Sequence, residues 1–195
     1  MGINHLAFAV KDMAATHHFY TESMGFELVK TEIVPKEAGG FARHAFYSTG
    51  SLGSGDDQLI AFWDLASDTG AGTEFKTDIC LDLGLEPLTN HIAFQAVDFD
   101  DLQAKKQHWL DQEHTVLEID HGWVHSIYTN DPDGISVEFA VITQPLTDAD
   151  KAEAEALLFA ESPSLDADTP WAWLHMPGVD EPTVLMEGTV KEGSV

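Results

Sequence analysis

A single cysteine, Cys80, stands in the 195-residue chain, so no disulfide can close within it and no cysteine-rich zinc cluster can form. Cys80 lies in an apolar stretch, which suits a packed, inert thiol. Basic residues are also scarce: 9 Lys and Arg stand against 34 Asp and Glu, a formal charge of −25. Such a surface repels nucleic acid and anionic membranes and excludes both as partners. It gives little hold on a polyanionic substrate unless a metal supplies the positive charge. The acidity fits a solubility surface and adaptation to a salty medium equally well. No apolar run approaches the roughly 20 residues that a membrane helix needs. Met1 to Val10 lack the basic and apolar regions of a secretory leader, so a cytoplasmic location is expected.

What is present is enough apolar content, 44%, for a packed core and a chain that repeats itself. Asn4-His5-Leu6-Ala7-Phe8 returns as Asn90-His91-Ile92-Ala93-Phe94, and each copy is followed by an aspartate, Asp12 or Asp98. His44-Ala45-Phe46-Tyr47-Ser48 returns as His125-Ser126-Ile127-Tyr128-Thr129. Asp57-Gln58-Leu59 through Trp63 returns as Asp133-Gly134-Ile135 through Phe139. Three matches in the same order predict a duplicated module, and the shrinking offset reflects longer loops in the first copy.

Each copy reads as βαβββ. In the first, a strand at 3–10 leads to a helix capped by Asp12, which ends at Gly25. Strands follow at 26–31, about 41–48 and about 58–64, with Gly-rich turns at Gly39-Gly40 and between Gly50 and Gly55. The second copy gives a strand at about 90–97, a helix at about 99–113, and strands near 115–120, 123–130 and 135–142. Asp131-Pro132-Asp133-Gly134 is a turn in which proline presets φ and glycine accepts a positive one. The expected division is a first module at 1–65, a linker at 66–89, a second module at 90–143, and a C-terminal helix and irregular acidic arm at 144–195. Thr147 is placed to cap that helix. Trp171, Trp173 and Met176 are placed to anchor the arm on the body or on a partner chain. The fold class is α+β: two tandem modules forming a cupped mixed β-sheet.

Residues two apart in a strand share a face. His5 shares one with Ala7 and Ala9, His91 with Ala93 and Gln95, and Glu138 with Ser136 and Ala140. The opposite faces, carrying Leu6, Phe8, Ile92, Phe94, Val137 and Phe139, are the apolar ones that pack under helices. Three strands thus each present one metal-capable side chain among small neighbours. Two imidazoles and a carboxylate suit a divalent cation with open positions for substrate, water or O₂. The pattern alone leaves two readings open, a metal centre and a set of packed polar residues. An unpaired buried carboxylate is costly, which makes Glu138 the more telling of the three.

Asn-His-x-Ala-Phe opening each module, with Asp131-Pro132-Asp133-Gly134 four residues before Glu138, resembles the vicinal oxygen chelate superfamily. Glyoxalase I, type I extradiol dioxygenases, fosfomycin resistance proteins, methylmalonyl-CoA epimerase and bleomycin-binding proteins belong to it. The resemblance covers about residues 3–142. It implies a cupped sheet around one metal ion, held here by His5, His91 and Glu138, which chelates vicinal oxygens of a small substrate. It implies Fe(II) first, with Mn(II), Zn(II) or Ni(II) as alternatives, and a homodimer in which the ligands meet within one chain or across two. Glyoxalase I and the epimerase have a fourth ligand in the last strand of the first module. The sequence match puts Phe62 there, which favours the three-ligand members. Tyr128 resembles the tyrosine that hydrogen-bonds the substrate oxygen in extradiol dioxygenases. Their acid–base histidine has no match at Asp56-Asp57-Gln58. His44 is the nearest substitute, with His125 and His121 as further candidates, and strand parity lets only one of His125 and Tyr128 enter a cavity. Phe62, Trp123 and His121 are expected to line the substrate pocket; His17, His18, His108 and His114 are expected to have no role. The expected activity is ring-cleaving dioxygenase chemistry on a catechol-type substrate. The alternatives are a redox-neutral metal-dependent lyase, isomerase or thiol transferase, and a non-enzymatic drug-sequestering protein.

Overall fold

The computed structural model of the chain describes residues 3–37, 39–50, 58–65, 74–162 and 168–190. Asp56, Asp57, the turn residues 51–55 and residues 66–73 of the expected linker lie outside these. Two compact units divide the chain, one of Met1–Ile92 with Asn130–Val137, the other of Ala93–Thr129 with Glu138–Val195.

The first module runs β1 (His5–Val10), α1 (Met13–His18), β2 (Glu27–Pro35), β3 (Phe41–Ser48) and β4 (Leu59–Asp64). Asp12 caps α1 by accepting the N–H groups of Ala14 and Ala15, which satisfies two of the donors a helix start leaves open. The helix then widens into a π-helical turn, Phe19–Ser23, and Gly25 follows at φ +72°. The four strands form one sheet in the order β1-β4-β3-β2, with β1 parallel to β4 and the other pairs antiparallel. One face buries Tyr20, Tyr47 and Phe62, with ring centroids 4.3 Å apart for Tyr20–Phe62 and 5.7 Å for Tyr47–Phe62. These three rings are the centre of the module's core.

The second module runs β5 (His91–Gln95), α2 (Phe99–Asp111), β6 (Val116–Asp120), β7 (Val124–Asn130) and β8 (Ser136–Ile142). Asp98 caps α2 through the N–H of Asp101. The strand order β6-β7-β8-β5 read in reverse is the order of the first module, so the duplication holds in topology as well as in sequence. Trp109 of α2 packs on Phe139 with centroids 5.2 Å apart, above the buried Leu102, Val116 and Ile127.

The Asp-Pro-Asp-Gly turn between β7 and β8 is built from within. Asp131 Oδ1 accepts the N–H groups of Asp133 and Ile135 at 2.9 and 2.8 Å. Its Oδ2 accepts the Tyr20 hydroxyl at 3.1 Å. Asp133 accepts the Lys11 N–H at 3.0 Å. Gly134 has φ +85°, and a Cβ there would stand 2.5 Å from Asp78 Oδ2, so both conformation and space demand glycine.

The C-terminal arm is more ordered than its composition predicts. Thr147 caps α3 (Asp148–Leu158) through a capping box with Asp150. Beyond it, β9 (Trp171–His175) and β10 (Thr183–Met186) extend the second sheet to β10-β9-β6-β7-β8-β5. The expected irregular arm is therefore a strand pair laid along the β6 edge. Tryptophan alternation supplied the strand face: Trp173 lies against Glu118 in register and Trp171 against Asp120.

Candidate metal centre and substrate face

His5 opens β1 and His91 opens β5, both exposed. In each ring Nδ1 meets an oxygen that can only accept. His5 Nδ1 lies 2.8 Å from Asn4 Oδ1, and His91 Nδ1 lies 2.6 Å from the Leu88 carbonyl. An Nδ1 placed against an acceptor in this way is the arrangement by which a neighbour orients a histidine that ligates a metal through its other ring nitrogen. Leu88 holds its carbonyl in place from a left-handed backbone, φ +67°, a conformation uncommon for leucine that tends to occur at functional sites. Asn90 is tied down on the other side, its Nδ2 donating to the Ile79 carbonyl and its N–H to Cys80 Sγ. Cys80 is thus a buried structural thiol.

Glu138 is 5% exposed. Tyr128 shares its face, and burial with the neighbouring Glu138 carboxylate pushes the phenol up to about 12. Tyr128 therefore stays protonated and donates. The chemistry of His5, His91 and Glu138, two imidazoles and one carboxylate, is of the kind that fits a divalent ion. Among the described residues, no three His, Cys, Asp or Glu side chains gather into one metal-holding group.

Strand registers sharpen the repeat. In the first module Leu59 N–H donates to the Asn4 carbonyl and His5 lies beside Leu59. Continued along this parallel ladder, Val10 N–H reaches the Trp63 carbonyl. Ala96, the repeat mate of Val10, donates to the Ala140 carbonyl. Ala140 therefore matches Trp63, Glu138 matches Ala61, and Phe139 matches Phe62. Phe62 and Phe139 agree in facing an aromatic ring of the helical layer, Tyr20 and Trp109. The sequence match was one residue out of step. Phe62 is core, wholly buried on the side away from His5, and lines no substrate face. The position in register with Glu138 is Ala61, which supplies no ligand either.

The face of the first sheet that carries His5 also carries Ala61, Trp63, Phe46 and His44, by register. The His44 ring stacks on Trp63 at 3.7 Å and lies 4.1 Å from Phe46, which in turn meets His5 edge-on at 5.9 Å. Burial pulls the His44 pKa down, partly opposed by Glu32, so the ring is neutral at neutral pH. Tyr47 faces the helical layer, with its hydroxyl 3.0 Å from His17 Nδ1.

His125 is on the opposite side of its strand from Tyr128. Its Nε2 donates to Glu118 Oε1 at 2.9 Å, and Phe99 and Trp173 flank the ring. Glu118 also accepts Lys106 at 2.9 Å and His175 at 2.6 Å. Those donors outweigh its burial and hold the carboxyl far below its usual range. His125 is thus part of a buried ionic cluster that ties β9 to β6, not a companion of Glu138. Sequence reasoning did not foresee this cluster, because Glu118, Lys106 and His175 share no motif. His121 is in the turn before β7, its pKa lowered by burial against the pull of Glu138 and Asp120. Trp123, in the same turn, is 45% exposed and offers its carbonyl to Thr143 and Gln144.

The family model described as the Glyoxalase/Bleomycin resistance protein/Dioxygenase superfamily matches residues 2–139. Among solved structures, a glyoxylase/bleomycin resistance protein/dioxygenase domain from Frankia sp. EAN1pec is 15% identical with a TM-score of 0.53, covering 73% of this chain and 98% of its own. The protein SMU.1112c is 20% identical at a TM-score of 0.52, covering 72% and 98%. A lactoylglutathione lyase from Agrobacterium tumefaciens is 22% identical at 0.46, covering 71% and 92%. At these identities the likeness is one of fold. No curated protein sequence matches the chain.

Proposed function

Because the chain belongs to the glyoxalase/bleomycin resistance protein/dioxygenase superfamily, we propose that it is a metal-dependent enzyme acting on a small substrate that chelates the ion through vicinal oxygens. His5, His91 and Glu138 would hold one divalent cation, which supplies Lewis acidity and, as Fe(II), an electron source for oxygen chemistry. The reading we favour is ring cleavage of a catechol-type substrate, with the ligand set completed within the chain or across a homodimer.

The observation that carries it is the Tyr128 phenol held protonated beside Glu138. A phenol in that state donates to a substrate oxygen next to a carboxylate ligand. Trp63 and Phe46 offer the flat apolar surface that an aromatic ring packs against. Neutral His44, on the face of His5, is the proton-accepting candidate, because His125 is committed to Glu118 and His121 stands in a turn. Phe62 is replaced in this role by Trp63 and Phe46.

Anaerobic loading with Fe(II), Mn(II), Zn(II) or Ni(II), elemental analysis and an oxygen-uptake assay with a catechol panel test the reading. About one equivalent of metal is expected in the wild type, falling below roughly a tenth in His91→Ala, a loss in keeping with removal of one of three ligands. Oxygen uptake with Fe(II) supports ring cleavage. A metal-loaded protein without oxygen uptake, active only with Zn(II) or Ni(II), points to a lyase, isomerase or transferase. A wild type that takes up no metal leaves only small-molecule binding.

A further inference from the structure

The first sheet ends at β2, whereas the second continues past the equivalent strand β6 to β9 and β10. These two strands lie beyond residue 139, where the family match ends, and in the same compact unit as Tyr128 and Glu138. Register shows which way they face. Asp131 N–H donates to the Ile135 carbonyl, and counting outward from that turn sets Tyr128 opposite Glu138, as Phe46 lies opposite Ala61. The Tyr128 phenol is hydrogen-bonded to Glu138 and Ser126, so the three share a side. Tyr128 pairs with Leu117 and Ser126 with Ile119. Leu117 pairs in turn with Leu174, and Ile119 with Ala172. Met186 lies beside Ala172 after a bulge. Paired residues point to one side of a sheet. The face that bears the proposed metal ligand therefore continues through uncharged residues across β6 and β9 to β10. The charged residues Glu118, His125 and His175 meet on the opposite side. Burial falls along this strip: Glu138 and Tyr128 are 5% and 6% exposed, Leu117, Ile119 and Leu174 are half-buried, and Met186 is 46% exposed.

We propose that the C-terminal strand pair is the outer part of the substrate face and holds an apolar substituent, an alkyl chain or a further ring, of a substrate whose paired oxygens sit at Glu138. The inference rests on the reading of Glu138 as a metal ligand and deepens it by naming the substrate class. Strand spacing of about 4.8 Å puts β9 about 14 Å from β8, which a single catechol ring does not span. Leu117, Ile119, Ala172 and Leu174 offer such a substituent only carbon, so a polar tail would lose its hydration there without gaining a hydrogen bond. Apolar side chains left half-exposed on this face are stabilised when a ligand covers them. Met186 at the rim is unbranched and adaptable, which suits tails of differing length. Continuity with Tyr128 and Glu138 assigns the strip to the substrate rather than to a second copy of the chain.

The test compares 4-methylcatechol with 4-hexylcatechol, each titrated by calorimetry into the Zn(II)-loaded full chain, which reads binding without redox turnover. Burying one methylene is worth about fourfold in affinity, and a wall on one side realises about half of that free energy, or about twofold. Over the five methylenes that separate the two compounds, the wild type should prefer the hexyl compound by about thirtyfold. Leu174→Ala should cut that preference to below about tenfold, and Met186→Ser, at a position exposed enough to spare the fold, should lower it as well. A wild-type preference below about threefold overturns the inference alone, and so does a preference that neither variant lowers. A wild-type dimer that Met186→Ser disperses while the preference stays the same assigns the strip to a second copy and overturns it too. A wild type that takes no zinc, or that binds neither catechol when loaded, overturns the underlying reading and this inference with it.

Discussion

Asp131→Asn should make the protein more stable at neutral pH, and more so as pH rises. Asp131 is 5% exposed. Burial pushes its carboxyl up from 3.8 to about 6 and Asp133 adds to the rise, although the Ile135 and Asp133 N–H groups and the Tyr20 hydroxyl pull the other way. The folded state therefore holds this proton more tightly than the unfolded chain does. Its contribution to stability is complete below pH 3.8 and is lost as pH rises through about 6. The gap between 3.8 and about 6, at about 1.36 kcal/mol per pH unit, amounts to about 3 kcal/mol of stability forgone at neutral pH. Asparagine keeps the oxygen that accepts the Asp133 and Ile135 N–H groups and turns an amide toward Tyr20, so the turn survives while the titration goes. By the same linkage, the wild type should lose about 1.4 kcal/mol relative to the variant between pH 5 and pH 7.5. Urea unfolding of both proteins at the two pH values reads this directly, since every other titrating group cancels in the comparison. A stability difference that does not change between pH 5 and 7.5 refutes the assignment of a raised pKa to Asp131. A variant less stable at both pH values by a constant amount would show that the carboxylate is worth more to the turn than its burial costs.

Two further perturbations probe the helix-facing side of each sheet. Glu118→Ala strands Lys106, His125 and His175 without their shared carboxylate and should cost about 3–5 kcal/mol; urea unfolding measures it, and Glu118→Gln, which keeps one acceptor, should cost less. Phe62→Ala opens a cavity beneath Tyr20 and should cost about 3–5 kcal/mol with zinc stoichiometry unchanged, and a loss of zinc at unchanged stability would place Phe62 on the wrong side of β4.

Order and parity were legible because they depend on period alone. Asp12 and Thr147 read correctly as caps, since a short acceptor before a periodic run has few other uses. Parity predicted that His125 and Tyr128 face opposite ways, and the structure pairs Tyr128 with Glu138 and His125 with Glu118. The strands of the arm were hidden by composition. Trp171 to His175 is short and set among Pro, Asp and Glu, and it becomes a strand only because the β6 edge is there to pair with, which local pattern cannot show.

Register is where sequence similarity misled. Tyr47 aligns with Tyr128 and Phe62 with Glu138 by residue identity, but the hydrogen-bond ladder pairs Tyr128 with Phe46 and Glu138 with Ala61. A slip of one residue is invisible in a similarity count, and it exchanges the faces of a strand. The correction changes the chemistry attributed to the first module. Its last strand presents Ala61 and Trp63 to the face of His5, small and flat where Glu138 is charged, while Tyr47 stays buried with its hydroxyl against the exposed His17. The two copies have therefore diverged in kind: the second kept a carboxylate and a phenol, and the first an aromatic shelf with a neutral histidine.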